Sequence, residues 1–133
     1  MTREETRNID IIRTAYESML KGDVDGFYAA VTEGTEFHEA ASLPYGGVYR
    51  GVAAVRKGVQ RMFSSWDDFS FQILQYSAGG DLVFVNVMIS GVGRKTGKSF
   101  SMPIIEMWRL KNGKITEIRP FYFDTARCVE CFG

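Results

Sequence analysis

The stretch Lys98–Leu110, Lys-Ser-Phe-Ser-Met-Pro-Ile-Ile-Glu-Met-Trp-Arg-Leu, constrains the fold most, because it makes sense only as a strand with one unusual face. At a strand's two-residue period that face carries Phe100, Met102, Ile104, Glu106 and Trp108. Large apolar side chains thus surround a single carboxyl. A carboxylate there is costly unless it is paired or keeps its proton. Either Glu106 faces a cavity with a chemical task, or this face meets water and the aromatic residues cover something else.

The pattern before and after this strand sets the class. Thr2-x-x-Glu5 can form a capping box, and Ile9, Ile12, Tyr16, Met19 and Leu20 follow at helical spacing until Gly22. Asp23 can cap a short second helix carrying Val24, Phe27 and Val31. Residues 35–41 read as a short strand, and 42–49 as a loop with turn chemistry at Pro44 and Gly46-Gly47. Val52, Val55, Val59, Met62 and Phe63 stripe a third helix whose other face, with Arg56, Lys57 and Arg61, suits solvent.

From Asp68 the period becomes two. Phe69, Phe71 and Ile73 alternate with polar residues, 78–81 turns the chain, and Leu82–Val92 is β-branched. Asn112-Gly113 is a two-residue hairpin signal before a last strand at 115–124. Pro103 cannot donate to a ladder, so a bulge or bend is expected there. The expected fold is α+β: a cone-shaped, curved antiparallel sheet roofed by three N-terminal helices and enclosing a pocket. One domain spans 1–133, with 125–133 as a C-terminal tail.

Sixteen basic and sixteen acidic residues cancel, so nothing asks for nucleic acid or an acidic membrane. The charged start lacks an apolar signal region and no apolar run could span a bilayer, so a soluble, cytoplasmic protein is expected. Cys128 and Cys131 form one C-x-x-C. A zinc site needs four ligands and His38 is the only histidine, while a redox pair would be expected at a strand-to-helix turn. Neither a metal nor a cofactor is expected.

Several short motifs, in order, resemble the nuclear transport factor 2-like superfamily, in its ketosteroid isomerase and SnoaL-like polyketide cyclase branch. They are Lys21-Gly-Asp-Val-Asp25, Phe37-His-Glu39, Tyr49-Arg-Gly51, Thr96-Gly-Lys98, the segment from Trp108 to Ile115, and Tyr122-Phe-Asp124. The resemblance covers nearly the whole chain. Ketosteroid isomerases use a carboxylate base on the first strand and an oxyanion hole made of a protonated acid and a tyrosine. The resemblance places the base at Glu39 and the protonated acid at Glu106. The tyrosine position counts to Ala15, with Tyr16 one residue on and about a hundred degrees around the helix. The Arg-x-Asp pattern of limonene-epoxide hydrolases has no counterpart in Leu82–Val92. SnoaL-like cyclases use a pocket Asp; Asp124 and Glu39 are candidates by residue type.

Glu39 and Glu106 are therefore the candidate catalytic pair. Two carboxyls in one apolar pocket push each other's pKa values apart, leaving one as base and one as proton donor. The chemistry would be proton abstraction next to a carbonyl, with the neutral acid stabilising the enolate oxygen. Candidate binding residues are Tyr16, His38, Tyr45, Tyr49, Trp66, Asn86, Trp108, Tyr122 and Asp124. Tyr45 and Tyr49 belong to the loop over the expected mouth, His38 faces away from Glu39 in a regular strand, and Asn86 is the only amide in its apolar run. Two other readings stay open. One is a non-catalytic domain that binds a small apolar ligand. The other is an assembly module with a vestigial pocket, dimeric through an outer sheet face of Ser101, Pro103, Ile105, Met107 and Arg109 with Ile115, Glu117, Arg119, Phe121 and Phe123.

Overall fold

The structure is a computed structural model and describes residues 1–133. Helix α1, Arg3–Leu20, opens on the expected capping box: the Thr2 hydroxyl accepts from the Glu5 N–H at 3.1 Å and Glu5 accepts from the Thr2 N–H at 2.7 Å. Gly22, at φ 77°, ends it. Asp23 then caps α2, Val24–Phe27, by accepting from the Gly26 N–H at 3.0 Å. This helix is a single turn and does not reach Val31. The Ala30 carbonyl accepts from the Ile115 N–H at 2.9 Å, which draws the chain into the sheet, so β1 runs over Val31–Glu39, earlier than its sequence pattern indicates.

The segment expected to be only loop also contains a strand. β2, Gly47–Arg50, pairs antiparallel with β1, with Phe37 opposite Tyr49. Helix α3 is Val52–Ser64, and β3 (Trp66–Gly79), β4 (Leu82–Gly93), β5 (Ser99–Lys111) and β6 (Lys114–Tyr122) follow as the expected meander. Asn112 and Gly113, at φ 52° and 77°, make the hairpin turn that their sequence signals. The six strands are ordered β2-β1-β6-β5-β4-β3. Every pairing is antiparallel except β1 with β6, which is parallel.

The sheet is curved and unclosed. Register shifts in β3, between Asp67 and Ser70 and between Ile73 and Gln75, bend it around the helices. Its concave face carries Val83, Val85, Val87 and Ile89 from β4 and Phe100, Met102, Ile104 and Trp108 from β5, all buried. Ile9, Ile12 and Tyr16 of α1 and Val55 and Val59 of α3 pack in the same core. No helix is long and apolar enough to cross a membrane.

Three local expectations are corrected. No bulge marks Pro103, whose pairing with Met88 sits in a continuous β4–β5 register. Its carbonyl accepts from the Phe123 N–H at 3.3 Å, so its missing N–H also faces the β6 side, just past the last paired residue of that strand. Ile115 is buried rather than outward. Arg109 pairs with Glu117 and Leu110 with Ile115, leaving Thr116 as an extra residue that flips the alternation. The C-terminal residues are not a loose tail but a helix, α4, Thr125–Phe132, capped by Asp124. Cys128 and Cys131 are its fully buried face, and Phe132 packs on Trp66 at 4.4 Å between ring centroids.

Helix α4 docks against Gly93 because that residue has no side chain. A Cβ there would lie 1.9 Å from the Cys131 carbonyl oxygen, which also accepts from the Thr96 hydroxyl at 2.6 Å. Gly93→Ala is expected to cost about 1–3 kcal/mol, as overpacking does. Chemical denaturation measures it, and an unchanged midpoint would show that α4 does not sit there.

Candidate functional site

Between α1, α3 and the concave face lies a cavity of about 70 Å³. Fifteen of its 18 lining residues are hydrophobic, and its polar atoms come from Tyr16, Glu39, Glu106 and Tyr122. Glu39 is the last residue of β1 and Glu106 lies in mid-β5. The strand between them, β6, sets Pro120 opposite Glu106 and Tyr122 opposite Ile104. The sheet therefore aims both carboxyls at one apolar space from two strands with one strand between.

Each acid meets a tyrosine, and each tyrosine cluster ends on a tryptophan. The Tyr16 hydroxyl donates to Glu106 Oε1, and Trp108 Nε1 donates to the Tyr16 oxygen at 3.3 Å. On the other side the Tyr45 and Tyr122 hydroxyls are 3.0 Å apart, and Trp66 Nε1 donates to the Tyr45 oxygen at 3.3 Å. An indole N–H can only donate. Either hydroxyl can donate across the Tyr45–Tyr122 contact, and Tyr122 is hydrogen-bonded to Glu39 as well. On the Glu106 side the relay runs tryptophan to tyrosine to carboxyl, and on the Glu39 side two tyrosines lie between the indole and the carboxyl.

Burial raises both acids. Glu39 is pushed up to about 8, by burial first, with the Tyr122 hydrogen bond pulling down and the charge of Glu106 pushing up. Glu106 is raised by burial and pulled back by Tyr16. Part of its surface is accessible, but that surface belongs to the cavity wall. Tyr16 and Tyr122 are raised well above the ordinary tyrosine range, by burial first and then by the acids beside them. Both carboxyls are thus raised by the same hydrocarbon surroundings, and with its pKa near 8 Glu39 keeps its proton at neutral pH.

The tyrosine beside Glu106 is Tyr16, not Ala15. Ile9, Ile12, Tyr16 and Met19 form one helical stripe, so the signal was in the spacing. Residue counting from the glycine missed it by one. Trp108 and Tyr122 are in the cavity wall as expected. Tyr45 and Trp66 are buried behind Tyr122 and reach the space only through it. Tyr49 packs against Gly58 and its hydroxyl donates to the Tyr45 carbonyl at 2.7 Å, propping the loop. Arg61, expected on a solvated face, supports the same loop through the Tyr49 hydroxyl and the Pro44 carbonyl, each at 2.9 Å.

Three candidates lie away from the cavity. His38 alternates to the outer face, 3.1 Å from Glu36 Oε1. Asn86 also alternates outward, between Gln75 and Ile105, and its Oδ1 is buried without a partner. Asp124 is spent on capping α4. The cavity wall instead includes Met19, Phe27, Met62 and Phe63, whose apolar spacing in the sequence is indistinguishable from that of ordinary core. No three His, Cys, Asp or Glu side chains cluster where they could hold a metal ion.

The model of the SnoaL-like domain family matches residues 12–118. An NTF2-like protein of Burkholderia thailandensis E264 superposes with a TM-score of 0.87 at 28% identity, covering 95% of this chain and 97% of that one. A protein of Jannaschia sp. CCS1 assigned to the SnoaL-like polyketide cyclases gives 0.82 at 16% identity, covering 98% and 95%. TerC, co-crystallised with polyporic acid, gives 0.80 at 18% identity, covering 94% and 97%. The last two likenesses show the fold alone. No curated protein sequence matches.

The raised acids make stability fall as pH rises. Glu39 binds its proton more tightly folded than unfolded, so its contribution is whole below about 4.5 and is lost as pH climbs to about 8. Glu39→Gln is expected to gain on the wild type across that window, by about 1.4 kcal/mol per pH unit at most. Glu106→Gln should shift in the same direction. Urea denaturation at pH 5 and pH 8 measures both. A variant more damaging at pH 8 than at pH 5 would show that its carboxylate is a stabilising anion.

Proposed function

The chain belongs to the SnoaL-like domain family of the nuclear transport factor 2-like fold, and from that premise we propose that it moves a proton next to the carbonyl of a small, largely apolar compound, without a cofactor. The observation that carries this reading is the pair of carboxyls, each tied to a tyrosine, facing one apolar cavity. Glu39, once ionised, takes the proton from the carbon beside the carbonyl. The C–H electron pair moves into the enolate, and the Glu106 carboxylic acid donates a hydrogen bond to the oxygen where charge develops. The Tyr16 proton is already engaged by Glu106, so Tyr16 positions that acid. Glu39 then returns the proton to the same or a neighbouring carbon, or the enolate attacks a second carbonyl in the ligand and closes a ring, the new alkoxide taking the proton from Glu39.

Cyclohexanone in D2O tests this through deuterium incorporation at its α-carbons, followed by NMR. Exchange is expected to rise with pH through about 8, as Glu39 ionises. Glu39→Gln should slow it by about 10²- to 10⁴-fold, the usual range for a general base. Binding without exchange at pH 9 would favour the second reading, a non-catalytic binding domain. That reading is supported by the burial that raises both acids, since a neutral acid holds a ligand oxygen without reacting.

We also propose a homodimer through the convex sheet face. Phe84, Ile105 and Phe121 are exposed there, beside the Glu117–Arg119 pair at 2.8 Å and the Glu36–Arg50 pair at 3.0 Å. Such a face, with an apolar centre and charges of both signs, suits contact with its own copy. Ile105→Glu is expected to leave only monomer at micromolar concentration in sedimentation velocity, where the wild type sediments as a dimer. A monomeric wild type would exclude this.

A further inference from the structure

We propose that the cavity is the inner half of a two-part site, and that the groove outside it holds an uncharged hydrocarbon tail of the same ligand. This rests on the reading of the cavity as a ligand site, but not on its being catalytic. The groove runs between the turn joining α1 to α2 and the outer side of α3, and has a volume of about 530 Å³. The cavity, at about 70 Å³, has room for a polar head and little else. Met19, Phe27, Val59 and Phe63 are walls of both. The two spaces are therefore adjacent compartments, separated by side chains that each compartment shares.

The chemistry of the walls selects the occupant. Six of the nine residues lining the groove are hydrophobic, and the others are Gln60, Ser64 and Gly22, so no charged group faces it. The Arg56 guanidinium beside Tyr28 is spent on that ring at 4.4 Å and on Asp25 at 3.8 Å. Val24 stays 55% exposed on its one-turn helix, so more than half of its surface meets solvent at the groove. The cavity, by contrast, concentrates its polar groups at the two acids and their tyrosines. A ligand with its carbonyl at the acids and a hydrocarbon chain leading outward past Phe27 and Phe63 matches both compartments. A charged or strongly hydrated tail does not, because it would give up water for hydrocarbon.

The test is a homologous series of 2-methyl-, 2-butyl- and 2-octylcyclopentanone, with binding followed by quenching of tryptophan fluorescence, since Trp108 is in the cavity wall. In the wild type, affinity is expected to rise at least tenfold from methyl to octyl. Val24→Asp and Gln60→Glu each place a carboxylate in the groove at an exposed position, where folding is not at risk. In both, the octyl compound should lose its advantage to within about threefold, while the methyl compound binds as in the wild type. Val24→Leu should keep the full advantage. Equal affinity for all three ketones in the wild type, an advantage that survives both carboxylates, or no binding by any of them overturns the proposal. Loss of α-carbon exchange with the chain-length dependence intact would count against catalysis and leave the groove standing.

Discussion

Two carboxyl groups held against hydrocarbon set the terms for the rest of this molecule. An ionised carboxyl in such a place is expensive, so each acid either keeps its proton or gathers donors. Here both happen. Tyr16 and Tyr122 supply the donors, but a buried phenol has its own oxygen to satisfy, and Trp108 and, through Tyr45, Trp66 do that. The aromatic residues thus serve twice. Their rings make the apolar wall, and their polar tips form the only hydrogen-bonding routes through it.

The backbone makes this possible by bending. A flat sheet would hold Glu39 and Glu106 on one plane, open to whatever packs on it. The irregularities in β3 curl the sheet around α1 and α3, and the parallel addition of β1 to β6 brings Glu39 to the same concavity as Glu106. Helix α4 then lays Phe132 on Trp66, covering the far end of the Glu39 relay. The groove beside α2 is left as the uncovered apolar stretch next to the cavity.

Features written in local spacing were legible in the sequence. The capping residues Thr2 and Asp23, the Asn112-Gly113 turn, the meander and the apolar face around Glu106 all depend on neighbours within a few positions. Glu106 stood out by strand alternation and Glu39 by the family resemblance, and the structure brings both to one cavity. Features that depend on distant pairing were not legible. β2 exists because β1 offers it an edge, and Val31 leaves the helix because β6 captures the backbone at Ala30. The inward turn of Ile115 depends on Thr116 being squeezed out of a ladder, and no alternation rule applied to β6 alone could reveal that. The C-terminal C-x-x-C looked like a motif, whereas its spacing is that of two apolar residues on one helix face.

The two acids are not equivalent, and the difference lies in their donors. Glu39 receives the Tyr122 hydrogen bond and has the Ala40 N–H 3.4 Å away, so its anion has support from side chain and backbone. Glu106 has Tyr16 alone. Of two carboxyls facing the same hydrocarbon, the one with more donors loses its proton first, because each donor offsets part of the lost hydration. Once Glu39 is charged, repulsion holds the proton on Glu106 more firmly still. The proposed reaction uses that difference, with Glu39 at the end of β1 as the base and Glu106 in mid-β5 as the neutral acid, facing the same space. In the proposed reaction that order is what is needed, since the group that removes a proton and the group that receives the resulting charge on oxygen must differ in ionisation at the same moment.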